Sequence, residues 1–436
     1  MDCNCGLPAH FFVGRDGKIG YNCPRSKCKF YATAPVFCSE YSRIVPNAST
    51  PADAILIRCE AALHPEAKGG RSVPCCLLKC YGSITDRPDL LAVLEDPAYG
   101  GEWHTTAAAY IYLMEHYKTL VSRLKSMKST LLQEIPPFFF SCLEKYRQAT
   151  VQYEYLLHND KEKDELEMDV VYQQLKPFQK KGVEFILTRG GRGMIADSMG
   201  LGKTVQAICV AHYYRQEWPV LVVCPMSLTE NWVKEFNRFC GVAFSRMIVL
   251  QGPKAQVTSL HEVVIVSYSS LKYVDKKVFN VVILDESHYI KAGDSNRTKA
   301  ALSLCSKANR VLLLSGTPAM SRPIELYTQM QAIQARCTPT KTQFGARYCN
   351  AFVGRFGVDY TGHMHENELH YFLRNFMIRR TKAELGGELP SKTRQLLYVT
   401  ITEKERKAME KQVSALRKSV DSAPGGATST VPTREM

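Results

Sequence analysis

No uninterrupted apolar run in the 436 residues approaches the length of a membrane-crossing helix, so no such span is expected. The opening residues, Met1-Asp2-Cys3-Asn4-Cys5, lack the apolar core of a secretory leader. The 16 cysteines are scattered, so the expectation is a reducing interior with free or metal-bound thiols, not a disulfide scaffold. A compact basic run that would serve as a nuclear address is missing too. Acidic residues are the minority among the charges, 42 Asp and Glu against 56 Lys and Arg, for a net charge of +14. That surplus favours phosphate backbones as partners and says nothing about fold. The length allows two or three domains with a real core.

The richest stretch is Asp197-Ser198-Met199-Gly200-Leu201-Gly202-Lys203-Thr204. It follows the apolar Met194-Ile195-Ala196 and leads into Val205-Gln206-Ala207-Ile208, which reads as a helix. A Gly-rich turn between strand and helix leaves backbone N–H groups pointing outward, and with the helix N-terminus they make a phosphate pocket. Gly200 and Gly202 allow the turn, Lys203 would reach the β- and γ-phosphates of ATP, and the Thr204 hydroxyl would sit on Mg²⁺. Asp197 stands where many such loops have Gly. A tight strand-to-helix turn without ligand is the bland alternative, and the complete Gly-Lys-Thr ending argues against it.

A second signal is the run Val281-Val282-Ile283-Leu284 ending in Asp285-Glu286-Ser287-His288. Strands buried on both faces read this way, and ligands gather at their carboxyl ends in open α/β sheets. Asp285 would hold Mg²⁺, Glu286 would orient the attacking water, and His288 would couple the nucleotide to the rest of the machine. A solvent-facing acidic strand end would explain one such motif but not two in this order. A third run, Val311 to Leu314, ends in Ser315-Gly316-Thr317-Pro318. Upstream, the Gln179 amide could read the two polar edges of adenine. Val220 to Cys224 and Val263 to Ser267 are further buried strands, and the alternation with helices implies a parallel sheet covered on both faces.

Gln179, the Gly-rich loop, Asp-Glu-Ser-His and Ser-Gly-Thr, in this order, resemble the helicase-like ATPases of the Swi/Snf type. Asp285 to His288, Ser315 to Pro323 and Glu217 to Val223 narrow the likeness to the HARP annealing helicases, over about residues 135–400. The family usually has an acidic residue at the position of Ser198. The resemblance implies catalytic roles for Lys203, Asp285 and Glu286, and coupling roles for His288, Ser315, Gly316 and Thr317. It implies DNA-backbone contacts at Pro225, Ser227, Ser267 and Tyr268, although Ser227 could instead cap the helix that follows. The implied activity is ATP hydrolysis driving DNA remodelling in the nucleus, with forked or single-strand/double-strand junction DNA and single-strand-binding proteins as partners and no membrane. A non-hydrolysing DNA-binding adaptor and a nucleosome remodeller are the alternatives.

The expected fold is α/β: a RecA-like P-loop lobe with a parallel sheet over residues 135–335, preceded by a small zinc finger and a small α+β region. In residues 1–33, Cys3, Cys5, Cys23 and Cys28 form two close pairs able to share one tetrahedral Zn²⁺. The segment resembles a GRF zinc finger, a single-stranded-DNA binder. Its basic residues interleave with Phe11, Phe12, Tyr21, Phe30 and Tyr31, but the family's central Arg and following Trp are missing. A protein-docking knuckle is the alternative. Residues 34–72 read as a linker. Residues 73–130 read as a HARP-like DNA-binding domain or a generic α+β unit, with a helix expected from Tyr110 to Leu124. Cys59, Cys75, Cys76 and Cys80 read as small buried hydrophobes. Residues 336–419 read as a helical extension toward a second lobe not found in the sequence, and residues 420–436 as a disordered tail.

Overall fold

The computed structural model describes residues 10–13, 19–22, 31–33, 55–63 and 73–388, apart from short interior stretches, together with scattered positions between 402 and 414. Residues up to Gly386 form one compact unit, and those from Gly387 form another. Strands β1 (His10–Val13), β2 (Ile19–Asn22) and β3 (Tyr31–Thr33) make a three-stranded antiparallel sheet. Cys3, Cys5, Cys23 and Cys28 lie outside the described residues.

A five-stranded sheet follows, in the order β6-β7-β5-β4-β8. Its strands are β4 (Ile55–Leu63), β5 (Pro74–Tyr81), β6 (Glu102–His104), β7 (Ala109–Leu113) and β8 (Thr130–Gln133). All its pairs are antiparallel except β4 with β8. Helices α1 (Pro88–Leu94) and α2 (Tyr117–Lys125) share one core with this sheet, formed by Ile57, Cys59, Leu78, Leu90, Tyr112 and Leu120 among others. Three expectations are corrected. The stretch read as a linker contains the nine-residue β4. The unit read as 73–130 extends from β4 to Gln133. The helix expected from Tyr110 begins only at Tyr117, because Ala109 to Tyr112 are all buried in a central strand and present no helical stripe. Cys59, Cys75 and Cys76 are buried in this unit, and burial alone pushes the Cys75 thiol up to about 12. Among the described residues, no group of three or more His, Cys, Asp or Glu is placed to hold a metal.

The larger layer begins after α3 (Pro137–Glu154), α4 (Asp160–Met168), α5 (Val170–Gln173) and α6 (Pro177–Leu187). Pro177 opens α6, where a missing N–H costs nothing. Six strands run parallel: β9 (Arg192–Ile195), β10 (Val220–Cys224), β11 (Met247–Leu250), β12 (Val263–Ser267), β13 (Val281–Asp285) and β14 (Arg310–Leu314). Helices α7 (Lys203–Tyr213), α8 (Thr229–Cys240), α9 (Asn296–Lys307) and α10 (Ile324–Gln334) accompany them. The central strands are buried on both faces, as their unbroken Val/Ile/Leu runs require. Strand order is β11-β12-β10-β13-β14-β9-β17, where β17 (Met377–Ile378) is a parallel addition beside β9.

That last strand corrects the reading of residues 336–419 as a helical extension. The described part holds α11 (Lys341–Tyr348), the hairpin of β15 (Phe352–Gly354) and β16 (Gly357–Asp359), α12 (Glu366–Leu373), and then β17, which rejoins the large sheet. Between α11 and α12 a buried pair joins the Arg347 Nη2 and Glu368 Oε2 atoms at 2.6 Å. The same Nη2 donates to the Cys59 carbonyl at 2.8 Å, and Glu60 accepts the Asn367 N–H at 3.0 Å. These bonds fasten β4 to α12.

At the base of β9 the Arg192 guanidinium donates to the carbonyls of Ile333, Ala332, Cys305, Ala308 and Asn309. These oxygens belong to the carboxyl-terminal regions of α9 and α10, where unpaired carbonyls and the helix dipole favour a cation.

Candidate nucleotide site

The site lies at the carboxyl ends of β9, β13 and β14. The chain leaves β9 through Ala196 and Asp197, turns at Gly200 and Gly202, and enters α7 at Lys203. Gly202 has φ +75, a left-handed conformation that strains other residues, and a Cβ there would push aside Gln179 Nε2, 2.3 Å away. The Lys203 ammonium donates to the Asp197 carbonyl at 2.9 Å. Burial draws its pKa below the usual lysine range, opposed by the charges of Glu286, Asp285 and Asp197. Lys203 thus lies within charge range of Asp285, which ends β13, and of Glu286, which follows it. Thr204 follows, half-buried, in the first turn of α7.

Asp285 is buried, and both carboxylate oxygens have donors. Oδ1 accepts the Glu286 N–H and Oδ2 accepts the Trp232 indole N–H, each at 2.9 Å. Burial raises the Asp285 pKa, the indole bond opposes it, the Glu286 charge adds to it, and Lys203 opposes it. Glu286 is held at φ 49, ψ 53, a left-handed conformation that costs a non-glycine residue about 1–3 kcal/mol. Its buried Oε2 has no hydrogen-bond donor, and the nearest ring nitrogen is His288 Nδ1 at 3.2 Å. The same Nδ1 is 3.4 Å from the Ser315 hydroxyl oxygen, which accepts the Thr317 N–H at 3.2 Å. A Cβ on Gly316 would lie 3.7 Å from the Lys203 ammonium, so this third strand end borders the same space. The donor set of carboxylates and hydroxyls is hard oxygen chemistry that suits Mg²⁺, and the orphaned Glu286 oxygen leaves an acceptor for water or metal-bound water.

Three functional contacts were missed from the sequence. The Gln329 amide accepts from the Ser287 hydroxyl at 2.7 Å and donates to the Pro318 carbonyl at 2.6 Å, tying the acidic motif to the Ser-Gly-Thr loop. Trp232 holds Asp285 as described. The fully buried Asp197 carboxylate bonds both the main chain and the guanidinium of Arg380. The phase of the buried face of α8 could have singled out Trp232. Nothing local signals Gln329 or Arg380.

Gln179 sits on α6 with its amide already engaged. Oε1 accepts the Lys176 N–H at 2.9 Å, and Nε2 donates to the Leu201 carbonyl at 3.1 Å. In this arrangement it braces the Gly-rich turn, and an adenine edge would have to displace those bonds.

A family model described as the SNF2-related domain matches residues 178–431. The chain belongs to the SNF2-related family. It is 37% identical over 330 residues to a Xenopus tropicalis protein named SWI/SNF-related matrix-associated actin-dependent regulator of chromatin subfamily A-like protein 1, covering 73% of this chain and 34% of that protein. It is 38% identical over 277 residues to the Bos taurus DNA annealing helicase and endonuclease ZRANB3, covering 60% of this chain and 26% of that one. The chain thus spans about a quarter to a third of the length of these curated relatives. A solved Sulfolobus solfataricus SWI2/SNF2 ATPase core in complex with dsDNA aligns at 26% identity and a TM-score of 0.43, covering 58% of this chain and 54% of that one.

In this SNF2-related chain the four residues expected at a DNA backbone divide into two pairs. Pro225 is half-buried and Ser227 exposed, both just past β10. Ser227 does not cap α8, whose N-cap position is Leu228. Ser267 and Tyr268 are buried and engaged within the fold. The Ser267 hydroxyl bonds those of Ser269 and Ser270, and the Tyr268 hydroxyl donates to the Asp285 carbonyl at 2.8 Å. The Tyr268 ring stacks on that of Tyr289, with centroids 5.1 Å apart, and Tyr289 is the exposed member of the pair.

Proposed function

We propose that this chain binds ATP with Mg²⁺ at the carboxyl ends of β9, β13 and β14, as part of an ATP-dependent DNA remodeller of the annealing-helicase kind. The observation that carries the reading is that the Lys203 ammonium lies within charge range of Asp285 and Glu286 and borders Gly316, beside a turn whose left-handed φ favours glycine.

In this reading, the amides from Gly200 to Thr204 and the Lys203 ammonium bind the phosphates. Thr204 and Asp285 would hold Mg²⁺, which would supply charge neutralisation for the phosphates. Glu286, whose buried Oε2 has no hydrogen-bond donor, orients the attacking water. His288 reports the state of Glu286 to Ser315, Gly316 and Thr317. Pro225 and Ser227 contact a DNA backbone, which suits sequence-independent tracking and the +14 charge. Residues 1–33 bind Zn²⁺ through Cys3, Cys5, Cys23 and Cys28. The unit from β4 to β8 binds branched DNA, with action in the nucleus beside single-strand-binding proteins.

The described residues contain one nucleotide-type sheet, so an arginine from an opposing lobe, an effect of about 10³–10⁵ in rate, would have to come from outside them. That observation favours a second reading, a DNA-binding adaptor that holds nucleotide without turnover.

Nucleotide retention and DNA-stimulated phosphate release, measured on wild type and Lys203→Ala, test both readings. The remodeller requires retention that disappears in Lys203→Ala and turnover stimulated more by forked DNA than by nucleosomes once an opposing lobe is supplied. Retention without any stimulated turnover under those conditions selects the adaptor. Equal retention by both proteins removes the phosphate site altogether.

A further inference from the structure

A buried indole N–H needs an acceptor, and the commonest supply is a main-chain carbonyl. Trp218 follows that habit, donating from Nε1 to the Ala211 carbonyl at 2.7 Å. Trp232 does not. Fully buried on α8, it aims its only donor at the Asp285 carboxylate, 53 residues away in sequence, at 2.9 Å.

Asp285 is gripped from three directions. Trp232 holds Oδ2, the Glu286 N–H holds Oδ1, and the Tyr268 hydroxyl holds the main-chain carbonyl of the same residue. Two donors from different elements fix the plane of the carboxylate, while each oxygen keeps a second lone pair for a cation or its water. The chemistry of the donor matters. A lysine or arginine in that place would cancel the negative charge and compete with a divalent ion. An indole N–H orients the group and leaves its charge intact.

We propose that Trp232 is a positioning residue for Asp285, fixing the carboxylate in the orientation that receives Mg²⁺ with the nucleotide. The inference rests on the nucleotide reading given above and deepens it. Outer partners of metal-binding carboxylates typically change metal affinity by about 10–100-fold when removed.

Trp232 also packs against Phe236, with centroids 5.9 Å apart, so the experiment must separate orientation from packing. A fluorescent ATP analogue is titrated onto the full chain with and without increasing Mg²⁺. Trp232→Phe keeps an aromatic ring and loses the N–H. The half-saturating Mg²⁺ concentration should rise by about 10–100-fold, while affinity for the Mg²⁺-free nucleotide stays at the wild-type value. Phe236→Leu, which removes packing alone, should lower the melting temperature and leave the Mg²⁺ dependence unmoved. An unchanged Mg²⁺ dependence in Trp232→Phe, or an equal shift in Phe236→Leu, overturns the proposal.

If Trp232→Phe does not fold, wild type labelled with ¹⁵N in its three indoles provides the readout. The Trp232 Nε1–H resonance should move when Mg²⁺ is added to the nucleotide-bound chain, and that of Trp218 should not. A stationary Trp232 resonance overturns the proposal. Failure of the underlying reading looks different, because wild type and Lys203→Ala would then bind the analogue equally, and the inference would fall with it.

Discussion

The carboxylate of Asp197 and the guanidinium of Arg380, 183 residues apart, form a buried ion pair at the mouth of the Gly-rich turn. Asp197 Oδ1 accepts the Arg380 N–H at 3.1 Å and its Nε–H at 2.9 Å, while Oδ2 bonds the Arg380 Nη2 and the Gln206 amide. Gln206 Oε1 in turn accepts from Arg380 Nη2 at 3.0 Å. Asp197 lies wholly inside and Arg380 nearly so. The first residue of the turn and the first residues past β17 are thus one connected polar cluster.

Removing one partner of such a pair leaves the other charge buried and uncompensated. Asp197→Ala should therefore destabilise by about 3–5 kcal/mol, as should Arg380→Ala. The double variant should cost clearly less than the sum. Thermal unfolding of the four proteins checks this, and strict additivity would show that the two residues do not act on each other.

His365 supplies a pH dependence. Its ring is buried, neither nitrogen has a hydrogen-bond partner, and burial holds its pKa far below the usual histidine range, with Arg347, Arg58 and Lys79 adding to the effect. Glu60 and Glu368 are the acidic groups of that neighbourhood, bonded to Lys79 and Arg347. The unfolded chain binds a proton at about pH 6.5 and the folded chain does not, so stability present above that pH is lost as the pH falls below it. The slope is about 1.4 kcal/mol per unit, or about 2 kcal/mol between pH 6.5 and pH 5. Melting curves of His365→Leu over that range should show a gentler acid decline than wild type. Parallel declines would refute the assignment.

Tyr268 and Tyr289 should separate in function. Tyr268 is 4% exposed and Tyr289 39% exposed. Tyr268→Phe removes one hydroxyl bond and should cost about 1 kcal/mol with DNA affinity unchanged. A loss of DNA affinity with unchanged stability would instead mark Tyr268 as the DNA contact expected from the family likeness.

For residues 1–33, stoichiometric zinc in the purified chain should disappear when Cys23→Ser and Cys28→Ser are combined. Metal analysis decides this. Retention of the full zinc content would mean that the ligands are other residues.

The large sheet was legible because its signals are local. Val281 to Leu284 and Val220 to Cys224 are unbroken apolar runs, and a Gly-rich turn between strand and helix is written within eight residues. The meeting of Lys203 with Asp285 follows from the carboxyl-end rule for parallel sheets. Strand β4 was illegible because Arg58 and Glu60 interrupt its apolar pattern. Glu60 is nonetheless buried, since it accepts main-chain N–H groups of Asn367 and Glu368, 307 and 308 residues away. Strand β7 was taken for helix because Ala109 to Tyr112 are buried on both faces, which erases the two-residue period. Tyr268 was expected at a DNA backbone by family likeness, and its burial beside Tyr289 and Asp285 depends on contacts distant in sequence.

The five carbonyls gathered by Arg192 pin the rear of β9 to the ends of two helices. A strand clamped at one end behaves as a cantilever. At the other end Ile195 is paired with Leu314 of β14 on one side and Ile378 of β17 on the other, so whatever displacement a phosphate causes at Lys203 reaches the Ser-Gly-Thr loop and Arg380 together.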